Sequence, residues 1–202
     1  MARPVETRRG PMTPEQVMAE ILDWMKYIVG ALAVGLLIVT FVLQNNQVFG
    51  ASMQPTLHEG DQLLVQKVSA RLGRFHYGDI VTIDGTKMLG DEEPDLVKRV
   101  IGLPGDTIDV RDGLVYRNGI PLEEPYLDNE TKTPPLGRGF DRVTLGEDEL
   151  FVMGDNRDQS YDSRFWGFVK LEDVIGKAFI IYFSWDSDNS GVRWNRIGKL
   201  LE

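Results

Sequence analysis

The chain has 202 residues, 42% of them hydrophobic, which suits one domain with its own core or a small two-part molecule. It carries 22 Lys and Arg against 31 Asp and Glu, and a net charge of -9 would repel phosphate backbones, so no nucleic-acid partner is expected. The absence of cysteine excludes thiol nucleophiles, disulfides and zinc–thiolate sites, and two histidines are too few for a His-rich metal site. We expect neither a metal nor an organic cofactor.

The N-terminal region has the features of a helix that continues into a membrane span. Thr13, Pro14 and Gln16 match an N-cap, a proline at the first helical position and a capping-box glutamine. Residues 27–43 then form seventeen residues without a charge, which reaches the lower limit for crossing a bilayer core. We predict a transmembrane helix over residues 27–43, although a buried core helix or a signal peptide gives a similar pattern.

The basic residues around this span predict its orientation. Four of them precede it in the sequence: Arg3, Arg8, Arg9 and Lys26. The next basic residue is Lys67, and the orientation rule places the flank richer in Lys and Arg in the cytoplasm. We therefore expect a single-pass cell-membrane protein, with residues 1–26 cytoplasmic and residues 44–202 forming an extracytoplasmic domain.

The outer part reads as an antiparallel β fold. Its apolar segments are short runs typical of strands, at residues 62–68, 79–83, 96–101, 150–153 and 178–183. The dipeptides Asp112-Gly113 and Asn118-Gly119 are of the type that β-hairpin turns favour. The sequence therefore predicts a mainly β domain.

One part of this domain has a different composition. Residues 123–142 contain three prolines and many charged residues without periodicity, which predicts an exposed loop. We interpret residues of about 106–148 as a small hairpin-and-loop insertion between two halves of one catalytic core. The tail after Trp185 is polar and has no clear pattern.

Three segments combine reactive side chains with glycine or proline, namely GASMQPTL at 50–57, VKRVIGLPGD at 97–106 and GDNRDQSYDSRFWG at 154–167. In the first, Ser52 lies between Gly50 and Pro55. A tight turn there would expose the hydroxyl and leave backbone N–H groups free to stabilise an oxyanion. An ordinary turn serine has the same pattern.

Lys98 stands in the second segment at a position where lysine is unusual. In a strand its neighbours on the same face are Leu96 and Val100, so its ammonium would enter an apolar face. Burial favours the neutral amine and lowers a lysine pKa, which a general base near neutral pH requires. A lysine at a sheet edge whose amine reaches solvent is the alternative.

The third segment and the histidines offer further polar groups. Ser160 could hold a neutral lysine amine through a hydrogen bond while Asp–Arg pairs fix the loop around it, and a solvated charged loop is the other interpretation. His58 and His76 both lie in turn-like sequence, and we interpret them as surface residues rather than as the base of a Ser-His-Asp triad.

Taken together, the three segments resemble the conserved boxes of bacterial type I signal peptidases, because SMQPTL, VKRVIGLPGD and GDNRDQSYDSRFWG match them in order and content. Residues 77–81, YGDIV, resemble a fourth box. The resemblance runs from about Val48 to Val169, and the single span is similar to that of the shorter, Gram-positive-like members. It implies an antiparallel β-sheet catalytic core of the signal-peptidase type with a small insertion, preceded by one transmembrane helix.

The resemblance also implies roles for individual residues. Ser52 would be the acyl-forming nucleophile and Lys98 the general base, with Ser160 orienting the lysine. Residues implied to support the site are Asp162, Arg164, Asp155 and Arg99. Residues implied to line the substrate pockets, which accept small side chains, are Val48, Val97 and Met53.

One position departs from part of the family. Where some members carry a serine whose hydroxyl completes the oxyanion hole, this chain has Gly50, as Gram-positive-like members do. The oxyanion would then rest on the Ser52 backbone N–H together with another backbone donor or a water molecule.

The function implied is that of a membrane-bound serine endopeptidase that removes signal peptides from secretory preproteins after small residues at -3 and -1. Only eight residues separate Leu43 from Ser52, a reach of at most about 30 Å, so the site should lie near the bilayer surface. The expected partners are secretory preproteins, the lipid bilayer and possible contacts with the translocation machinery. The alternatives are a Ser-Lys peptidase with a regulatory or self-cleaving role and a non-catalytic membrane-anchored β module.

Overall fold

The structure is a computed structural model that describes residues 13–90, 94–137 and 141–201. Contacts divide the chain into two units, Met1–Phe41 and Val42–Glu202. Arg3, Arg8 and Arg9, on which the predicted orientation largely depends, lie outside the described residues.

The first unit contains one long helix, α1, which runs from Pro14 to Phe41. Its start is capped as predicted, because Gln16 N donates to Thr13 Oγ1 at 3.3 Å while Thr13 N donates to Gln16 Oε1 at 3.0 Å. By length and composition this 28-residue helix is able to cross a membrane. The chain leaves the helix after Phe41 and enters a strand at Leu43.

The second unit is built mainly from antiparallel strands, which confirms the predicted fold class. The strands of the described residues are β1 Leu43–Gln47, β2 Asp61–Gln66, β3 Ile80–Ile83, β4 Leu96–Gly102, β5 Thr107–Arg111, β6 Leu114–Arg117, β7 Ile120–Pro121, β8 Val143–Thr144, β9 Glu149–Met153, β10 Val169–Lys170, β11 Val174–Asp186 and β12 Gly191–Val192. The short helices are α2 Val68–Arg71, α3 Gly85–Leu89 and α4 Ser163–Trp166, with 3₁₀ turns at Leu171–Asp173 and Trp194–Arg196.

The large sheet carries Lys98 on β4, and Ser52 lies in the connection between its strands β1 and β2. Its strand order is β1-β2-β11-β3-β4-β9-β10, with β12 paired to β11. Among the described strands, β1 is therefore an edge strand that pairs only with β2. Strand β4 pairs with β3 from Leu96 to Arg99 but meets β9 only from Arg99 onward, so within the described chain the Leu96–Lys98 part of β4 has a free edge on one side.

The small sheet, in the order β7-β6-β5-β8, lies between β4 and β9 in the sequence. The turn from β5 to β6 has φ of 52° at Asp112 and 80° at Gly113, and the turn from β6 to β7 has 55° at Asn118 and 81° at Gly119. Positive φ at both central residues is the signature of type I′ turns, whose twist matches that of the paired strands. The two hairpins predicted from the dipeptides are confirmed.

The prediction of an exposed loop at residues 123–142 is wrong for several of its described residues. These residues have no regular structure, yet Thr133 is only 3% exposed, and the Tyr126 ring lies 3.9 Å from the Arg99 guanidinium. Glu124 also forms a bidentate ion pair with the buried Arg157. The loop is held because buried arginines elsewhere in the chain need acidic and aromatic partners, and spacing within the loop does not reveal that need.

The core divides at the large sheet. Ile80 packs in one apolar cluster with Val48, Met53 and Val97, whereas its neighbour Val81 packs in another. Adjacent strand residues point to opposite faces, so the two clusters lie on the two faces of the sheet. A third cluster joins β9 to the small sheet.

The junction of β2 with β11 depends on Gly60, where φ is +87° and an added Cβ would overlap the Trp185 carbonyl. Trp185 N also donates to Gly60 O at 3.1 Å. Gly198 has a similar φ of +82° but open space around it.

We expect Gly198→Ala to lower the free energy of unfolding by about 1–2 kcal/mol, the cost of a left-handed conformation. Gly60→Ala should cost a further 1–3 kcal/mol or so, because the backbone must also shift. Urea unfolding of the full chain in detergent, followed by tryptophan fluorescence, measures both. Equal losses in the two variants would contradict a steric role for Gly60.

Candidate active site

Ser52 lies in a turn between β1 and β2. Gln54 N donates to Ala51 O at 3.1 Å and Leu57 N to Met53 O at 2.8 Å, so two successive turns hold the segment. Gly50 precedes it with φ of +72°, a conformation that favours glycine. Within the described residues, the backbone N–H of Ser52 donates to no acceptor. The turn thus has a free N–H beside the hydroxyl.

Lys98 on β4 meets this serine across 46 residues of sequence. Its Nζ donates to Ser52 Oγ at 2.7 Å, and the residue is only 3% exposed. Lys98 lies opposite Val81 in the sheet, and Val81, Val100 and Leu96 belong to one apolar cluster. The amine therefore starts from an apolar strand face and has a hydroxyl as its partner.

Burial lowers the pKa of Lys98 from 10.5 to about 8. The nearby Asp162 carboxylate opposes this shift and the Arg164 guanidinium adds to it, both to a smaller extent than burial. A substantial fraction of the amine is then neutral near physiological pH and able to accept a proton from Ser52.

Ser160 is buried near the same turn, but it is not bonded to Lys98. Its Oγ has no hydrogen-bond partner among the described groups, whereas the lysine amine donates to Ser52. An added Cβ on Gly154 would overlap both Ser160 Oγ and the Ser52 carbonyl oxygen. The unpaired hydroxyl therefore packs close to the Ser52 backbone.

Asp162 and Arg164 close the loop that carries Ser160. Arg164 Nε and Nη2 each donate to the Asp162 carboxylate at 2.8 Å, and both side chains are fully buried. Arg164 Nη2 also donates to Ser160 O at 3.1 Å, and Gly154 N donates to Asp162 Oδ2 at 3.0 Å. The ion pair thus fixes both ends of the segment between Gly154 and Arg164.

A second buried pair joins this loop to β4. Arg99 Nε and Nη2 donate to the Asp155 carboxylate at 2.8 and 2.7 Å. The next residue, Asn156, donates from its backbone N to Ser52 O at 3.0 Å and from Nδ2 to Ala51 O at 3.1 Å. The Arg99–Asp155 pair therefore fixes the position of Asn156, which binds the backbone carbonyls of the serine turn.

Sequence reasoning missed Asn156 and a third buried pair, Asp61 with Arg196. Arg196 Nη2 donates to Asp61 Oδ2 at 2.5 Å and to Thr56 O at 2.9 Å, so the C-terminal region reaches the serine segment. Ser184 Oγ also donates to the Asp61 carboxylate. Asn156 lies within the singled-out segment at 154–167, but its targets are backbone carbonyls, which side-chain identity does not reveal. No sequence signal marks Asp61 or Arg196, which are 135 residues apart.

The three predicted pocket residues lie together. Val48, Val97 and Met53 are 2%, 6% and 1% exposed and share one apolar cluster. Val97 immediately precedes Lys98, and Met53 immediately follows Ser52. The catalytic candidates are therefore adjacent in sequence to members of one buried apolar cluster.

Neither histidine takes part in this arrangement. The side chain of His76 is 82% exposed and lies 3.7 Å from Asp79, and burial lowers the pKa of His58. Among the described residues, no three His, Asp or Glu side chains group in a way that could hold a metal ion.

Comparisons with known proteins agree on one family. The family model described as signal peptidase, peptidase S26, matches residues 21–185. Signal peptidase I of Bacillus licheniformis is 40% identical over 169 residues, 81% of this chain and 89% of that protein. Signal peptidase I of Leptolyngbya laminosa is 38% identical over 184 residues, 89% and 84% of the two chains. A crystal structure of signal peptidase I from Enterococcus faecalis V583 is 35% identical, covers 51% of this chain and 95% of that one, and gives a TM-score of 0.43.

Because Gly154 packs against Ser52 without room for a methyl group, we expect Gly154→Ala to move the serine and to lower peptide hydrolysis by about 100-fold or more. Gly191 also lacks a positive φ, and a Cβ there meets no atom closer than 3.8 Å, so Gly191→Ala is the matched control. Hydrolysis rates and circular dichroism of both variants separate misplacement from unfolding. A fully active Gly154→Ala enzyme would show that the packing does not position Ser52.

Proposed function

This chain belongs to the S26 family of signal peptidases, and we propose that Ser52 is its nucleophile and Lys98 its general base. As a member of that family it is a serine peptidase, and its substrates are preproteins that carry signal peptides. The observation that carries the residue assignment is the 2.7 Å contact between Lys98 Nζ and Ser52 Oγ in a buried setting.

In the acylation half, the neutral Lys98 amine accepts the Ser52 hydroxyl proton as Oγ attacks the carbonyl carbon of the -1 residue. The resulting oxyanion is stabilised by the Ser52 backbone N–H, which has no competing acceptor in the described chain. The Lys98 ammonium then gives its proton to the departing amine as the C–N bond breaks. An ester of Ser52 with the signal peptide remains, and the mature protein is released.

In the deacylation half, Lys98 removes a proton from water while the water oxygen attacks the ester carbonyl. The C–O bond to Ser52 breaks, and the proton returns from Lys98 to Ser52 Oγ. Ser160 has an unpaired buried hydroxyl beside this turn, and its role in this mechanism is to orient the amine when Ser52 becomes acylated and no longer accepts the lysine hydrogen bond.

The buried ion pairs keep the two reacting atoms at a fixed separation. Arg99 with Asp155 supports the backbone of Ser52 through Asn156, and Arg164 with Asp162 supports Ser160. Removing one partner of a buried pair leaves an uncompensated charge, which typically costs 3–5 kcal/mol or so. Their role in catalysis is therefore one of positioning.

The substrate binds as an extended strand in the space between the free edge of β1 and the free edge of β4, which we call the substrate groove. Both strands run toward the reacting pair, since β1 leads to Ser52 and β4 contains Lys98. Backbone hydrogen bonds at such edges provide affinity, and in this proposal Val48, Val97 and Met53 line the pockets for the small side chains at -1 and -3.

The family is membrane-associated, and α1 supplies a helix of suitable length and composition. In this proposal the part of α1 after Lys26 lies in the cell membrane and residues 1–26 lie in the cytoplasm, since Lys and Arg are concentrated on that side. The catalytic domain then lies outside, where the signal peptide of a preprotein shares the bilayer with the enzyme and the translocation machinery is within reach.

We expect Ser52→Ala and Lys98→Arg each to reduce preprotein cleavage by about 10³-fold or more. Alanine removes the nucleophilic hydroxyl, and arginine cannot deprotonate in the working pH range. Ser187→Ala and Lys170→Arg make the same chemical changes at exposed positions and should retain activity. Cleavage by purified enzyme in detergent, with the cut mapped by mass spectrometry, measures all four. If Lys98→Arg remained active, Lys98 would not be the base.

The rate should depend on pH through Lys98. Its pKa of about 8 means that the amine takes up a proton as the pH falls, so kcat/KM should decrease about tenfold per pH unit on the acid side of pH 8. A profile from pH 6 to pH 10 on one preprotein measures this limb. A flat profile between pH 6 and pH 8 is the result that this mechanism does not allow.

A further inference from the structure

A polar pair bridges the substrate groove beyond the residues assigned so far. Asn46 on β1 donates from Nδ2 to Asp95 Oδ2 at 2.6 Å. Asp95 immediately precedes β4, and β1 and β4 are not paired in the sheet. The two strands are therefore joined here by side chains alone.

This geometry fits a gap that holds one further strand. Neighbouring strands lie about 4.8 Å apart, so two strands with room for a third between them are separated by about 10 Å. Two short side chains joined end to end by a hydrogen bond can bridge such a gap, whereas directly paired strands would bring the backbones together. A peptide strand placed in this gap would therefore lie over the Asn46–Asp95 pair.

Asn46 lies on β1 and Asp95 immediately before β4, and each comes two residues before a predicted pocket residue in the sequence. Asn46 precedes Val48 by two residues, and Asp95 precedes Val97 by two. Side chains two apart in a strand share a face, so the polar pair continues the surface that Val48 and Val97 form. Along the groove, away from Ser52, an apolar surface is therefore followed by a polar one.

The same periodicity applies to the substrate. In an extended peptide the residues at -1, -3 and -5 share one face. If -1 and -3 face Val48 and Val97, the next side chain on that face is at -5, and it meets Asn46 and Asp95. The side chain at -4 points away from the pair.

The hydrogen-bonding atoms of Asn46 and Asp95 that remain available to a ligand are acceptors. Asn46 is 7% exposed and its buried Oδ1 has no partner among the described groups. No Lys, Arg or His nitrogen in the described chain lies within salt-bridge distance of the Asp95 carboxylate, which is partly exposed. A ligand with a hydrogen-bond donor, above all a cationic one, would satisfy these acceptors, whereas a second carboxylate would be repelled by Asp95.

We propose that Asn46 and Asp95 form a subsite for the -5 residue of the signal peptide, one that selects a hydrogen-bond-donating side chain and disfavours an acidic one. This subsite rests on the proposed function, because the direction of the peptide is set by the pocket for -1 and -3. It adds a polar requirement to a recognition otherwise based on small apolar residues.

The test uses one preprotein with Lys, Gln, Ala or Glu at -5, and a matched series with the same residues at -4. For the wild-type enzyme we expect kcat/KM for Lys at -5 to exceed that for Glu by about tenfold or more, and the -4 series to vary less than threefold. Asp95→Asn should reduce the Lys-to-Glu ratio at -5 to below threefold. Asp188→Asn, a change of the same kind at an exposed position, should leave the ratio as in the wild type.

Ratios within one enzyme variant do not depend on the fraction that is folded, so a partly unstable Asp95→Asn preparation still gives an answer. Equal cleavage of Lys and Glu at -5 by the wild type would overturn the subsite, as would an unchanged ratio in Asp95→Asn. Either result leaves the proposed peptidase function intact. Failure of the wild type to cleave even the Ala preprotein would instead overturn the proposed function.

Discussion

The structure depends on keeping the Lys98 amine buried beside the Ser52 hydroxyl. A lysine with a pKa of 10.5 when unfolded and about 8 when folded destabilises the folded state by on the order of 3 kcal/mol below pH 8. This cost shrinks as the pH rises from 8 toward 10.5. It vanishes above pH 10.5, because the lysine amine is then neutral in both the folded and the unfolded state. The rest of the domain must offset that cost while holding Lys98 Nζ within 2.7 Å of Ser52 Oγ.

The buried ion pairs show how the sheet and the loops share this task. Three pairs have fully or nearly buried partners: Arg99 with Asp155, Arg164 with Asp162, and Arg196 with Asp61. Arg164 also donates to the Ser160 carbonyl and Arg196 to the Thr56 carbonyl, whereas Arg99 donates to the Gly78 carbonyl. Buried pairs often contribute little net stability compared with apolar residues of similar size. Their value here is geometric, because a bidentate arginine fixes two planar groups in one relative orientation.

The sequence carried enough local information to predict the helix start, the two type I′ hairpins and the burial of Lys98, since each depends on residues within a few positions of one another. Contacts between residues that are distant in the sequence were predicted less well. Ser160 was expected to bond to the lysine, but the Ser52 hydroxyl takes that place. Arg196 was overlooked because its partner is 135 residues away. The loop containing Glu124 was expected to be exposed because its composition is polar, whereas buried Arg157 requires that carboxylate.

The position of the small sheet bears on how such a protein can vary. Its strands lie between β4 and β9 in sequence, and β4 and β9 are paired, so the chain leaves and re-enters the large sheet at neighbouring points. Insertions or deletions at the outer hairpin turns can therefore accumulate during evolution without shifting the register that places Lys98. The stretch around Glu124 and Tyr126 lacks this freedom, because it is the partner of arginines in the catalytic core. Length variation among homologous sequences should accordingly be concentrated at the hairpin tips rather than at these two contacts.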